Sequence, residues 1–363
     1  MRVGGISAAV VMVTASLGVA ACGSSSSSSS SKSSGSAAAS PSSSSPAASS
    51  GSKTIVGAGS TLVAPLVSQW QPSYDSKYGV AITYGAIGSG GGIAQITART
   101  VDFGASDAPL TPSQFAAAKG VVQIPWALAA TDIAYHVQGV PNNLKLTGPV
   151  LADIWLGKIT AWNAPQIKAL NPGVNLPSTK IAPVYRTDGS GDTFALTNYF
   201  SQISPEWKSK VGNATQVHFP VGLGGKGNSG VGGVLASTNG AIAYIAIAYV
   251  LENKFDYALV QNAAGKYPVP GIASISGAAA ALKSVPADNN VSIVNPPASA
   301  AGAYPISTFT YAIVPLSSPK ATALKPFLNW AIASGQADGP KLDFAPLLAQ
   351  IVSADKATIA KIQ

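Results

Sequence analysis

Short apolar runs alternate with amphipathic segments from residue 54 onward, and glycine-rich turns separate many of them. The apolar and alternating runs predict strands over residues 54–56, 80–84, 101–105, 181–186 and 304–314. The longer periodic segments predict helices over residues 62–74, 93–100, 150–156, 190–200 and 324–333. The apolar segment 241–250 is too short for a membrane span and predicts a buried strand or helix. This succession predicts an α/β fold with a mostly parallel sheet, whose ligands bind beyond the carboxyl ends of the strands.

The first 53 residues have a different pattern. Residues 1–21 combine one positive charge with an apolar stretch and small residues, which predicts a secretory signal peptide. Cys22 follows directly, and the residues before it resemble the lipobox of bacterial lipoproteins, in which the cysteine becomes lipid-modified, for instance with palmitate. Residues 22–53 are nearly all Ser, Ala, Gly and Pro after Cys22, which predicts a disordered tether averaging roughly 30 Å end to end.

Charge and cysteine content exclude several classes of protein. The formal net charge is +8, and three of these charges precede residue 54, which leaves +5 for the remainder. This excess favours the approach of small anions. Charged residues are only 10% of the chain and form no dense basic stripe, so nucleic acid is not an expected partner. With one cysteine and two histidines, the chain offers neither an internal disulfide nor an expected metal site.

Three glycine- and hydroxyl-rich segments follow predicted strands and begin predicted helices. They lie at residues 57–61, 88–92 and 188–193. A helix N-terminus presents unpaired backbone N–H groups and a partial positive charge, so three such segments together predict a site for an oxyanion. Ser190 also suggests a nucleophile, but neither histidine lies near it in the sequence, so no catalytic residue is predicted.

Longer motifs around these segments resemble those of the PstS family, the substrate-binding proteins of ABC-type phosphate importers. The matching motifs occur in the expected order at residues 57–65, 84–92, 101–110, 153–159, 186–191, 222–228 and 304–308. The resemblance implies a two-lobed type II periplasmic binding protein fold with a hinge and a central ligand cleft. It also implies a monomeric, non-enzymatic receptor without a cofactor, anchored by lipid on the extracytoplasmic face of the cell membrane. Inorganic phosphate would be its ligand, and an ABC permease with its ATPase its partner.

The same resemblance implies lobe boundaries and ligand-binding residues. One lobe would comprise residues 54–131 and 302–363, and the other residues 132–301. The first lobe would supply Thr61, Leu62, Ser89 and Asp107. The second would supply Arg186, Ser190, Gly191 and Asp192. Hydroxyl groups and a planar guanidinium suit phosphate oxygens, and Asp188 would hold the Arg186 guanidinium in place.

Asp107 predicts selectivity among tetrahedral anions. Phosphate keeps one or two protons at neutral pH, and such a proton makes a charge-assisted hydrogen bond to a carboxylate. Sulfate and molybdate have no such proton, which argues against the alternative of a receptor for those anions. Two further alternatives are an exported phosphatase and a phosphate sensor that binds without delivering its ligand.

Two residues depart from the common family pattern. Leu62 stands where phenylalanine is frequent, and its contact would be made through the backbone N–H. Asp192 stands where a threonine hydroxyl commonly binds the ligand. Asp192 either accepts a second phosphate proton, caps the helix that starts at Ser190, or turns away and leaves the contact to Thr193. Capping is the favoured interpretation.

Overall fold

The computed structural model describes residues 54–363, so the predicted signal peptide (1–21), Cys22 and the tether (22–53) lie outside the described residues. The strands are β1 (Thr54–Gly59), β2 (Ala81–Ala86), β3 (Phe103–Ser106), β4 (Val121–His136), β5 (Lys145–Leu146), β6 (Ala182–Arg186), β7 (Leu223–Gly225), β8 (Ala241–Ala246), β9 (Asp256–Tyr257), β10 (Leu259–Val260) and β11 (Ser307–Pro315).

The helices cover the segments between these strands and the C-terminal part of the chain. They are α1 (Ala64–Tyr78), α2 (Ser89–Thr97), α3 (Pro112–Ala118), α4 (Gly148–Trp155), α5 (Pro165–Leu170), α6 (Gly191–Ile203), α7 (Pro205–Lys210), α8 (Gly227–Ser237), α9 (Ile247–Asn253), α10 (Ile272–Ala280), α11 (Ala321–Ala331) and α12 (Ala349–Ala360). Two 3₁₀ helices, Ser334–Asp338 and Pro340–Leu342, lie between α11 and α12.

Within the described residues, nine strands form one mixed sheet. Its order is β2-β1-β3-β11-β4-β8-β6-β7, with β9 paired to β4. The pairs at the two ends of this order are parallel, whereas β11 and β4 join them through antiparallel pairs. The prediction of a mostly parallel sheet is therefore wrong for the centre, because the late strand β11 inserts between β3 and β4.

The long strand β4 connects the two parts of the sheet. Its residues 121–130 pair with β11, and its residues 131–136 pair with β8. The change of partner falls between Ala130 and Thr131, without a break in the strand. One continuous strand therefore runs through both halves of the sheet.

Helix α2 begins earlier than its sequence pattern predicts. It starts at Ser89, directly after Gly88 with a φ of 87°, rather than at residue 93. A Cβ on Gly92 would lie 2.6 Å from the Cα of Gly59, so glycine lets α2 pack directly onto β1. The glycines that predict a turn are here used for close packing inside a helix.

The apolar segment 241–250 contains two elements. It forms β8 and continues into α9 after Ala246. The prediction of a buried strand or helix is confirmed in the sense that the segment contains one of each. Among residues 54–363, every helix is too short or too polar to cross a membrane.

Aromatic side chains fill the core in both parts of the sheet that β4 connects. In one half, the rings of Trp70 and Trp126 meet edge to face with centroids 5.2 Å apart. In the other half, Phe200 and Trp207 make a similar contact at 4.9 Å. Each such pair adds about 0.5–1.5 kcal/mol beyond the burial of its area. The four rings are fully buried and belong to one continuous hydrophobic cluster, which therefore supports the segments at the sheet edge in both halves.

Asp355 in α12 is a buried carboxyl group without a hydrogen-bond partner among the described residues. Burial raises the pKa of Asp355 to about 9. The pKa in the unfolded chain is about 3.9. Folding therefore binds a proton between these values, so the stability that this group contributes is present below about pH 4 and is lost as the pH rises towards 9.

We expect Asp355→Asn to stabilise the protein at pH 8, because it removes a carboxyl group that must be protonated or buried as a charge. The melting temperature should rise by about 2 °C or more at pH 8, and the gain should shrink towards pH 4. Thermal unfolding followed by circular dichroism checks this. Asp75→Asn, at an exposed position of α1, is the matched control and should leave the melting temperature unchanged. A gain that is equal at both pH values contradicts the assignment.

Candidate functional site

Three turns at one edge of the sheet bring hydroxyl groups to a carboxylate. The parallel strands β1 and β3 both end at this edge, and α2 begins beside them. Ser60 Oγ donates to Asp107 Oδ1 at 2.5 Å, and Ser89 Oγ donates to Asp107 Oδ2 at 3.2 Å. All three side chains are buried. The first half of the site is therefore a carboxyl group held by two hydroxyl groups.

The environment of Asp107 shifts its titration towards neutral pH. Burial, and then the charge of Asp192, raise the pKa of Asp107 to about 7, against the opposing effects of hydrogen bonds from Ser60 and Thr310 and of the Arg186 charge. A third hydroxyl group, that of Thr308, donates to the main-chain oxygen of Asp107 at 3.1 Å. A carboxyl group with such a pKa can exchange a proton with a ligand near neutral pH.

The second half of the site is built around Arg186, at the end of β6. Its Nε donates to Asp188 Oδ1 at 2.8 Å and its Nη2 donates to Asp188 Oδ2 at 2.6 Å. Its Nη1 donates to Asp192 Oδ2 at 2.9 Å. The Arg186 side chain is almost fully buried, and these contacts use three of its five N–H donors. The predicted contact between Asp188 and Arg186 is therefore present.

Asp188 is held in its charged form by this pair. Burial acts to raise the pKa of Asp188, but the hydrogen bonds and charge of Arg186 outweigh it, so the pKa lies below its ordinary value. The backbone N–H of Gly227 also donates to Asp188 Oδ1, at 2.9 Å. Asp188 thus links the guanidinium to the start of α8.

Asp192 points into the site and is fully buried. It accepts hydrogen bonds from Thr131 Oγ1 at 2.7 Å, from Arg186 Nη1 at 2.9 Å and from Asn228 Nδ2 at 2.9 Å. Burial raises the pKa of Asp192 above its ordinary value, although the charge of Arg186 and the hydrogen bonds from Thr131 and Asn228 oppose that effect. Asp192 therefore connects β4, through Thr131, to Arg186 and to Asn228 of α8 by hydrogen bonds.

The start of α6 is capped by another residue. Ser190 is the N-cap, and its Oγ accepts a hydrogen bond from the Thr193 backbone N–H at 3.3 Å. The prediction that Asp192 caps this helix is wrong, because its carboxylate is drawn to Arg186 instead. The Thr193 hydroxyl forms a hydrogen bond with the Tyr244 hydroxyl at 2.8 Å.

The two halves of the site are in direct contact. The Gly191 backbone N–H donates to Ser89 Oγ at 3.0 Å, and the Gly90 N–H donates to the Gly189 carbonyl oxygen at 2.9 Å. The segment after β6 therefore lies against the segment that opens α2. This arrangement encloses the polar side chains.

Glycine is required where these segments meet. A Cβ on Gly191 would lie 2.3 Å from the Cβ of Asp107, and a Cβ on Gly88 would lie 2.2 Å from Asp188 Oδ2. Any larger residue at these positions would force the segments apart.

Thr61 and Leu62 contribute differently to the site. Thr61 Oγ1 accepts hydrogen bonds from Asn228 Nδ2 at 2.9 Å and from the Asn228 backbone N–H at 3.3 Å. Leu62 packs its side chain into the hydrophobic core, and its backbone N–H donates to Ser60 Oγ at 3.0 Å. The backbone group that the resemblance assigns to a ligand thus has a protein partner in this structure.

The structure brings the predicted ligand-binding residues and Asp188 together in two hydrogen-bonded groups, one around Asp107 and one around Arg186. The groups meet where the Gly191 N–H donates to Ser89 Oγ. Thr131, Tyr244 and Thr308 join these groups without a sequence prediction. Two more such residues are Ser60 and Asn228. Both lie inside motifs that carry the family resemblance, so the sequence contains a signal for them. Their roles depend on partners 47 and 167 residues away, Asp107 and Thr61, and local spacing does not reveal such pairs.

The chemistry of the network is that of binding. It consists of hydroxyl groups, backbone amides, one guanidinium, one carboxamide and three carboxyl groups. Residues 54–363 contain no group of three or more His, Cys, Asp or Glu side chains that could hold a metal ion. His136 lies elsewhere, with its Nδ1 within hydrogen-bonding distance of the Leu235 carbonyl oxygen.

Comparison with known proteins identifies relatives over most of the chain. A family model described as a PBP superfamily domain matches residues 43–334. The phosphate-binding protein PstS of Xylella fastidiosa strain Temecula1 is 44% identical over 306 residues, which cover 83% of each chain. PstS of Pasteurella multocida strain Pm70 is 37% identical over 304 residues, or 83% of this chain and 88% of that protein.

Solved structures share the fold. The crystal structure of a phosphate-binding protein from Stenotrophomonas maltophilia superposes with a TM-score of 0.68 at 20% identity, covering 84% of this chain and 93% of the other. This likeness supports the two-lobed type II fold with its α/β composition. Together with the identity to its curated relatives, it shows that the chain belongs to the PstS family of phosphate-binding proteins, within the PBP superfamily.

Proposed function

We propose that this protein binds inorganic phosphate outside the cytoplasmic membrane and delivers it to an ABC-type phosphate permease and its ATPase. The observation that carries the proposal is the buried contact network, which combines Arg186 with a carboxyl group at Asp107 whose pKa lies near neutrality. Like its PstS relatives, the protein is a receptor and not an enzyme.

Phosphate would be held by donors from both halves of the site. We propose as these donors the hydroxyl groups of Thr61, Ser89 and Ser190, the backbone amide of Gly191 and the Arg186 guanidinium. Phosphate would replace the hydrogen bonds that Ser89 now donates to Asp107 and that Gly191 now donates to Ser89. The burial of these donors supports the proposal, because hydrogen bonds in a site without water discriminate strongly among ligands. Asp192 is then a partner of Arg186 rather than a ligand contact, since three protein donors already occupy its oxygens.

Asp107 would accept a proton of the ligand. A site built to pair with a ligand hydroxyl rejects analogues that lack it by about 10⁴- to 10⁵-fold. Phosphate and arsenate carry such a proton at neutral pH, whereas sulfate and molybdate do not. The proposed ligand class is therefore the protonated tetrahedral oxyanions.

The lobes proposed are residues 54–131 with 302–363, and residues 132–301. The change of partner along β4 at residues 130/131 supports the first boundary. Because ligand contacts come from both lobes, phosphate stabilises the closed state. Lipid attachment at Cys22, a tether over residues 22–53 and a monomeric state complete the proposal for a receptor on the extracytoplasmic membrane face.

Calorimetric titration tests the ligand. The protein should bind phosphate and arsenate, and sulfate at least about 10⁴-fold more weakly. Asp107→Asn should reduce that preference to below about 100-fold, because the side chain no longer requires a proton on the ligand. Asp75→Asn, at an exposed position, should leave it unchanged. Equal affinity of the protein for sulfate and phosphate refutes the function, and a loss of preference in Asp192→Asn alone reverses the roles of the two aspartates.

Gly191→Ala tests whether binding requires the contact between the halves. The added Cβ collides with Asp107 only when the segments meet, so phosphate affinity should fall by roughly 10- to 100-fold with little change in the melting temperature of the unliganded protein. Gly233→Ala in α8, where a Cβ meets nothing within 4 Å, is the matched control and should bind as the unaltered protein does. Unchanged affinity in Gly191→Ala means that phosphate does not bind in this closed arrangement.

A further inference from the structure

Asn228 occupies a central position in the site that neither the family resemblance nor the predicted ligand set assigns. It lies in the first turn of α8, after Gly227 with its φ of 66°, and its side chain is fully buried. A buried carboxamide with partners in different parts of the chain is costly unless every partner is present. The hydrogen-bond partners of the Asn228 side chain therefore indicate its role in the site.

The orientation of the Asn228 carboxamide is set by its surroundings. Its Oδ1 accepts a hydrogen bond from the backbone N–H of Ala246, at the end of β8, at 2.9 Å. Its Nδ2 therefore faces the opposite side, where it donates to Thr61 Oγ1 and to Asp192 Oδ2, each at 2.9 Å. Both N–H donors of the amide are thus used within the site.

These contacts define the direction of the Thr61 hydroxyl group. Thr61 Oγ1 accepts two hydrogen bonds from Asn228, one from the side chain and one from the backbone. A hydroxyl group has two acceptor lone pairs and one donor hydrogen. With both lone pairs engaged, Thr61 acts as a hydrogen-bond donor, which is the role that an anion requires.

The same carboxamide balances the charge of Asp192. Together with Thr131 and Arg186, it gives the Asp192 carboxylate three donors. These donors favour the charged form of Asp192 against its burial, and they engage the oxygens that would otherwise meet a proton of the ligand. The donor on Asn228 thereby helps to separate the roles of the two aspartates.

We propose that Asn228 is a positioning residue that joins the two halves of the site, orients Thr61 as a donor and stabilises the charged form of Asp192. This inference rests on the proposed phosphate-binding function. Thr61 precedes α1 in one half and Asn228 lies in the first turn of α8 in the other, so their hydrogen bonds form only when the two halves are closed. Removal of the Asn228 hydrogen bonds raises the rate of ligand dissociation more than it lowers the rate of association.

Asp192, which accepts a hydrogen bond from the Asn228 carboxamide, interacts electrostatically with several charged or titratable groups. They are Arg186 and Asp188 from the segment after β6, Asp107 from the turn after β3, Tyr244 from β8 and Tyr249 from α9. A carboxylate introduced by Asn228→Asp would face the Asp192 oxygen that accepts the hydrogen bond. Because two carboxylates repel each other, the introduced carboxylate must bind a proton before the site can close.

The test is titration of the full chain with inorganic phosphate at pH 8 and pH 5.5, with each variant compared with the unaltered protein at the same pH. Asn228→Ala should weaken phosphate binding by about 10- to 100-fold at both values. Asn228→Asp should weaken it by at least about 100-fold at pH 8 and recover at least about tenfold of that loss at pH 5.5. Stopped-flow tryptophan fluorescence should show that dissociation accounts for most of the Asn228→Ala effect.

Asn171→Asp is the matched control. Asn171 is also a buried asparagine in the segment 132–301, with three side-chain hydrogen bonds, all to the main chain of Lys145 and Ile167. This variant should bind phosphate within about twofold of the unaltered protein at both pH values, because Asn171 makes no contact with the site.

The outcomes separate this inference from the function on which it rests. If the unaltered protein fails to bind phosphate, the proposed function fails and the inference falls with it. If the unaltered protein binds and Asn228→Ala binds within twofold of it, the inference alone is overturned. A loss in Asn228→Asp that is the same at both pH values also overturns it. Asn228→Ala introduces no charge, so it decides the matter if Asn228→Asp does not fold.

Discussion

The site depends on the pairing of one buried positive charge with two carboxylates. Arg186 is held by Asp188 through two hydrogen bonds and by Asp192 through one, and all three side chains are buried or nearly so. A buried charge without a partner is strongly destabilising, so this arrangement orients both the guanidinium and the start of α6. The charge of Asp188 already balances that of Arg186, so the pair supplies no excess positive charge. Attraction for an anion therefore arises from hydroxyl and amide dipoles directed at it rather than from excess positive charge.

The sequence predicts those parts of the site that depend on neighbouring residues. The contact between Arg186 and Asp188 spans two positions, and Ser190 stands at the predicted start of its helix. Asp107 follows a predicted strand and lies at the expected sheet edge. These features follow from local spacing and from the rule that ligands bind beyond the ends of parallel strands.

Other features depend on tertiary contacts that local patterns do not encode. The local pattern favours Asp192 as a helix cap, but its oxygens bind Arg186 and Thr131, and Thr131 lies 61 positions away. Asn228 meets Thr61 across 167 positions of the chain. The mixed sheet likewise results from the insertion of β11, a strand close to the C-terminus, beside β3 and β4. In each case, a partner distant in sequence overrides the preference of the local segment.

The uninterrupted strand β4 has a consequence for how the protein unfolds. Its first ten residues complete one half of the sheet, and its last six complete the other. Neither half retains a full set of strands if the other is lost, so we expect melting to proceed as one cooperative event although the fold has two lobes. For the same reason, the halves are not interchangeable modules: recombination with a homologous protein preserves the sheet only where the whole of residues 121–136 comes from a single parent.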